Sequence, residues 1–144
     1  MEDRYLYKAK TTPKEKGEFN NVWVTGNLIV SNGKYYIHPV GNVVNVKNET
    51  GRIIVMHEVI PDTICRCTGL KDKNGNLIWE NDILNPFSDL KGIVKFGERS
   101  FGYEFGFYIE WISKACYRKD FLYWVKQENL GIIGNIFDNP DKCN

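Results

Sequence analysis

"CTGLKDKNGNLIWENDIL" runs from Cys67 to Leu84, and its reading sets the reading of the whole chain. Apolar segments flank the run Lys71-Asp72-Lys73-Asn74-Gly75. An Asn-Gly pair accommodates the positive φ that a tight hairpin turn demands. The stretch therefore predicts a β-hairpin that turns at Asp72–Gly75. Past the turn stand Glu80 and Asp82, two residues apart. On a strand, such residues project to one face, where two carboxylates can share a metal or divide acid and base roles. The plainer alternative has them on a solvent face or bonded to turn amides. Neither a histidine nor a third carboxylate stands nearby to complete a catalytic group, which favours the plainer one.

The same strand grammar continues on both sides. "RYLYKAK" (4–10) alternates apolar and polar residues like a half-buried strand, and "TTPKEKGEFNN" (11–21) is a polar loop. "VWVTGNLIVS" (22–31) is rich in branched and aromatic residues, with Gly26 a candidate bend. Asn32-Gly33 then offers a second hairpin turn into "YYIHPV" (35–40). A short piece at 41–51 leads to another strand at 52–60, which Pro61 stops. Segments at 90–98, 103–112, 116–125 and 129–139 are mostly strand-like. Helix signals are poor, and the best is Arg118 to Trp124. The expected fold is mainly β with at most one or two short helices. It divides near Pro61-Asp62 into an amino-terminal β subdomain, 1–61, and a carboxy-terminal one, 62–144.

Composition narrows the function. The hydrophobic share of 42% supplies a packed core, so disorder is not expected. Nineteen basic and eighteen acidic residues leave a net charge of +1, which gives no bulk field for nucleic acid. Met1 is followed by Glu2-Asp3-Arg4, and no apolar run approaches the ~20 residues that span a bilayer. A cytoplasmic protein without membrane contact is expected, with its four cysteines reduced. Cys65, Cys67, Cys116 and Cys143 lack the paired C-x₂-C spacing of zinc sites, so no metal or other cofactor is expected. His38 and His57, the two histidines, sit among apolar residues in predicted strands. The chain has no nucleophile elbow, Walker loop or dinucleotide fingerprint.

Aromatic residues concentrate instead. Ten of them lie between Phe101 and Trp124. Alternation places Phe101, Tyr103, Phe105 and Phe107 on one strand face. Such rings can stack on bases, with Arg99, Lys114, Arg118 and Lys119 holding phosphates. They can also be the core of a small barrel, with the remainder forming a subunit contact. The expected binding face comprises Tyr108, Trp111, Arg118, Lys119 and Tyr123, and Phe107, Tyr108 and Trp111 are the candidates for a contact between copies.

The opening stretch resembles the signature of the YopX family, small proteins of phages and prophages of low-GC bacteria. Thr68, Gly69, Leu70, Asp72, Lys73, Asn74, Gly75, Ile78, Glu80, Asp82 and Ile83 match it. "IGNIFDNPD" (133–141), with Gly134 and Asn135, is similar to the family's ending. "WVTGNLI" (23–29) and "YYIHP" (35–39) resemble the amino-terminal half of longer members. Cys67 replaces a common aromatic, and Asn81 a common glycine, so position 81 needs a residue that tolerates a turn. The resemblance implies a mostly β, two-part fold with an antiparallel amino-terminal sheet and an SH3-like barrel half, and a tendency to form homo-oligomers. It implies no activity. Under it, Thr68, Gly69, Asp72, Asn74, Gly75, Glu80, Asp82, Gly134 and Asn135 hold structure and do not catalyse. The expected function is a non-enzymatic accessory protein in the host cytoplasm that binds a host or phage protein, such as a defence factor. Nucleotide or single-stranded nucleic-acid binding through 101–124 is the alternative.

Overall fold

The computed structural model of the protein describes residues 2–13, 21–39, 56–87, 90–99, 104–112, 121–127 and 129–143. The expected pieces at 41–51 and 52–55 lie outside these. The chain forms two compact units, Glu2–Arg66 and Cys67–Asn144.

In the amino-terminal unit, β1 (Tyr7–Lys10), β2 (Trp23–Ser31), β3 (Lys34–Pro39), β4 (His57–Glu58) and the start of β5 (Cys65–Lys71) pair in the order β4-β3-β2-β1-β5. All pairings are antiparallel. Side chains alternate between faces, so one face collects the apolar set. Ala9 pairs with Val24 and Leu28 with Ile37, and with Val59 these residues form the core. On the other face the ammonium groups of Lys8 and Lys10 lie 4.7 and 5.4 Å from the Trp23 ring centroid. Pro61 opens a 3-10 turn to Thr63, as its missing N–H predicts for a strand end. The Thr63 hydroxyl donates to the Ile60 carbonyl at 2.7 Å and accepts from the Lys10 amide at 2.9 Å, so its burial leaves no unmet bond.

The carboxy-terminal unit takes up the rest of β5 and pairs it with β6 (Leu77–Trp79). A four-stranded antiparallel sheet follows, in the order β10-β7-β8-β9, from β7 (Asp82–Phe87), β8 (Leu90–Arg99), β9 (Glu104–Trp111) and β10 (Gly131–Asn135). Pro86 cannot donate to a ladder, and the β7–β8 register shifts across it, between Leu84 and Phe87. Among the described residues a single short α-helix occurs, α1 (Phe121–Lys126), which overlaps the expected strand-like segment at 116–125 and its helix candidate. Phe121 and Trp124, three residues apart, share its inward face. They join Ile78, Leu84, Leu90, Val94, Ile109 and Leu130 in the core.

The fold is mainly β, with two antiparallel sheets and one short α-helix, as the sequence indicates. Closure of the expected barrel is not seen among the described residues. Closure requires the outer strands to pair, and β10 and β9 do not pair with one another among the described residues.

Candidate functional site

Two places compete to be the site: the signature hairpin and the aromatic face. The hairpin is held by one carboxylate. Asp72 is buried, and its Oδ1 accepts from the amides of Asn74 and Asn76, both at 2.9 Å. Its Oδ2 accepts from the amide of Ile132 at 3.1 Å, sixty positions away in sequence. The Gly75 amide closes on the Asp72 carbonyl at 3.0 Å, and Gly75 has a φ of +81°. Before the turn, the Thr68 hydroxyl donates to the Ile78 carbonyl at 2.7 Å and accepts from the Leu70 amide at 3.1 Å. These bonds span the register shift between Cys67 and Lys71, where Gly69 has a φ of +77°.

The acidic pair does not share a strand face. Glu80 and Asn81 form a turn between β6 and β7, and Asn81 takes a φ of +73°, a conformation asparagine tolerates. Asp82 is buried, and its Oδ2 accepts the Trp79 amide at 2.8 Å, while Glu80 is half-buried. Glu80 lies in the turn and Asp82 at the start of β7, so the pair does not occupy alternate positions of one strand. No group of three or more His, Cys, Asp or Glu that could hold a metal occurs among the described residues.

The second signature segment meets the first. β10 pairs with β7, Asn135 opposite Asp82 and Gly134 opposite Ile83. The Lys73 amide donates to the Leu130 carbonyl at 2.9 Å, and the Ile136 amide to the Asn81 carbonyl at 3.1 Å. Asn135 Oδ1 accepts from the amides of Phe137 and Asp138 at 3.0 and 2.9 Å, and Asn139 Oδ1 accepts the Asn135 amide at 3.2 Å. A side chain at Gly134 would collide with that Asn139 carboxamide. The sequence separates these motifs by about fifty positions, and nothing in their spacing announces that they form one assembly.

The histidines lie on opposite sheet faces. His57 is opposite Ile37, whereas His38, the neighbour of Ile37, is opposite Asn27. Cys65 and Cys67 carry buried thiols and Cys143 a half-buried one, with no disulfide among the described residues, and Cys116 lies outside them.

Trp124 organises the aromatic face. Trp111 lies edge-on to it at 5.0 Å, Tyr123 at 5.4 Å and Phe87 at 6.4 Å between ring centroids. Phe107 contacts Phe121 at 6.4 Å and Phe96 at 4.9 Å. Phe107 and Trp111 thus pack onto the core, and half-buried Tyr108 points to the other face of β9. Phe105, Phe87, Leu122 and Tyr123 remain exposed. Arg118 and Lys119, like Phe101, Tyr103, Lys114 and Tyr117, lie outside the described residues. Phe87 and Leu122 escape a search for aromatic alternation, one because it precedes the aromatic run and the other because it is aliphatic.

No helix among the described residues is long and apolar enough to cross a membrane. No curated protein matches the chain. The family model described as YopX protein matches residues 4–143, which takes in both halves of the interlocked signature. With that match over nearly its full length, the chain belongs to the YopX family.

Proposed function

We propose that this chain is a phage or prophage accessory protein of the host cytoplasm that acts by binding a host or phage protein, such as a defence factor, without catalysis. The observation that supports it most is an apolar patch in the carboxy-terminal unit. Phe87 is 55% exposed, Leu122 46% and Tyr123 40%. Phe87 and Tyr123 both lie edge-on to the ring of buried Trp124. Exposed apolar surface of this kind marks interaction sites, and aromatic anchors dominate their energy. Of the two carboxylates with enzyme-like spacing, Asp82 is meanwhile engaged by the Trp79 amide. The same patch supports self-association, which a net charge of +1 opposes little.

The test is a double substitution, Leu122→Glu with Tyr123→Glu. Light scattering of the purified parent chain should give a mass above one chain, and the variant should lose it while keeping its circular dichroism and melting point. The variant should also lose whatever host or phage protein the parent retains. A monomeric parent defeats the self-association half, and a folded variant that keeps its partner places the binding face elsewhere. Phe105, 75% exposed, is the ring that sustains the nucleic-acid alternative. Co-purifying nucleotide, visible in the absorbance ratio, would favour that alternative.

A further inference from the structure

Asn-Gly occurs at Asn32-Gly33 and at Asn74-Gly75, and nowhere else in the chain. All of these residues are exposed, so accessibility does not distinguish the pairs. Glycine's lack of a Cβ lets its nitrogen approach the preceding side chain closely, which makes each pair a candidate for spontaneous deamidation. What distinguishes them is the state of the attacking nitrogen. Among the described residues no hydrogen bond engages the Gly33 amide, which sits in a two-residue loop closed behind it by the Ser31–Lys34 pair. The Gly75 amide is bonded to the Asp72 carbonyl at 3.0 Å. The amides on either side of it, Asn74 and Asn76, are bonded to the Asp72 carboxylate at 2.9 Å. Turning the Asn74–Gly75 peptide toward the side chain would break this set, whereas turning the Asn32–Gly33 peptide breaks no bond to the glycine nitrogen.

We propose that Asn32 is a spontaneous modification site of this protein and that the Asp72 carboxylate protects Asn74 from the same reaction. The Gly33 nitrogen attacks Asn32 Cγ. A C–N bond forms in the ring, and the Asn32 amide nitrogen leaves as ammonia with the proton the backbone nitrogen gives up. Water then opens the succinimide at either carbonyl, giving aspartate or isoaspartate, with no change of oxidation state. The product carries one more negative charge, which takes the formal net charge from +1 to 0. The isoaspartate form also adds a methylene to the main chain of a two-residue loop, which disturbs the register that sets Leu28 against Ile37.

The experiment ages the full chain in mildly alkaline buffer and follows both sites by peptide mapping, with isoaspartate methyltransferase labelling. Asn32 should convert first, and Asn74 at least about tenfold more slowly, given the backbone bonds that must open. Equal rates, or a faster Asn74, overturn the proposal. In strong denaturant the two sites should react at comparable rates. An Asn74 that stays slow when unfolded would place its protection in the local sequence, and that too overturns it. Gly33→Ala should remove most of the Asn32 signal, and a signal that persists unchanged counts against attack by this nitrogen.

Discussion

The β2–β3 and β5–β6 hairpins carry the same Asn-Gly pair and use it differently. In β2–β3 the pair is the whole loop, with Asn32 at a φ of +52° and Gly33 at +73°. That is the two-residue, primed-type turn that matches strand twist, and its backbone suffices. In β5–β6 the pair occupies the end of a longer loop. Asp72 donates its amide to the Asn76 carbonyl at 2.8 Å and accepts from Gly75, so a turn precedes one residue of positive φ. Only Gly75 of the second pair has positive φ. The longer loop is fastened from inside by a buried carboxylate and tied to β10 through Ile132. One dipeptide thus serves a self-sufficient turn in one unit and a cross-braced turn in the other. A turn signal in sequence fixes where the chain reverses and leaves open what the reversal is attached to.

The largest expected effect breaks the brace. Asp72→Ala leaves the Asn74, Asn76 and Ile132 amides without their acceptor, at a cost of about 3 kcal/mol or more. Chemical denaturation measures it, and a loss below about 1 kcal/mol would show that the two turns are braced alike. Asp82→Ala is next, at about 2 kcal/mol, because the buried Trp79 amide loses its acceptor. Gly75→Val should cost about 1–2 kcal/mol through backbone strain alone, since nothing within 4 Å obstructs a Cβ there. An unchanged melting temperature would mean that this loop can dispense with positive φ. Gly33→Ala should cost about 1 kcal/mol, a penalty felt by an exposed loop with no brace to lose. Smallest is Glu80→Ala, within about 0.5 kcal/mol, the ordinary range for a residue whose carboxylate is not the one on the Trp79 amide. A larger loss at Glu80 than at Asp82 would reverse the roles assigned to the pair.

Several features were legible before any coordinates. The two reversals, the interruption at Pro61 and the mainly β class follow from φ preferences and period-two alternation, which are local properties, while the tolerance needed at position 81 comes from the family resemblance. Bonding to turn amides is one of the readings open for the acidic pair in the sequence, and Asp82 accepts the Trp79 amide. The split of 76–84 into β6 and β7 was less legible, because its mix of apolar and polar residues reads as one strand until Asn81 is seen at positive φ. The short helix is legible only as a candidate, Arg118 to Trp124, which overlaps α1. Six residues give too few turns of periodicity to outweigh their aromatic content.

By itself the sequence determined where the chain turns, which residues seek burial and which family it belongs to. Only the tertiary structure decided that Asp72 reaches Ile132, that Trp124 gathers Trp111, Tyr123 and Phe87 around itself, and that the two signature segments are one assembly. These contacts join residues far apart in the chain, and their partners are chosen by packing and by the need to satisfy buried polar groups. Local conformational preference acts over a few residues and carries no information about such pairings.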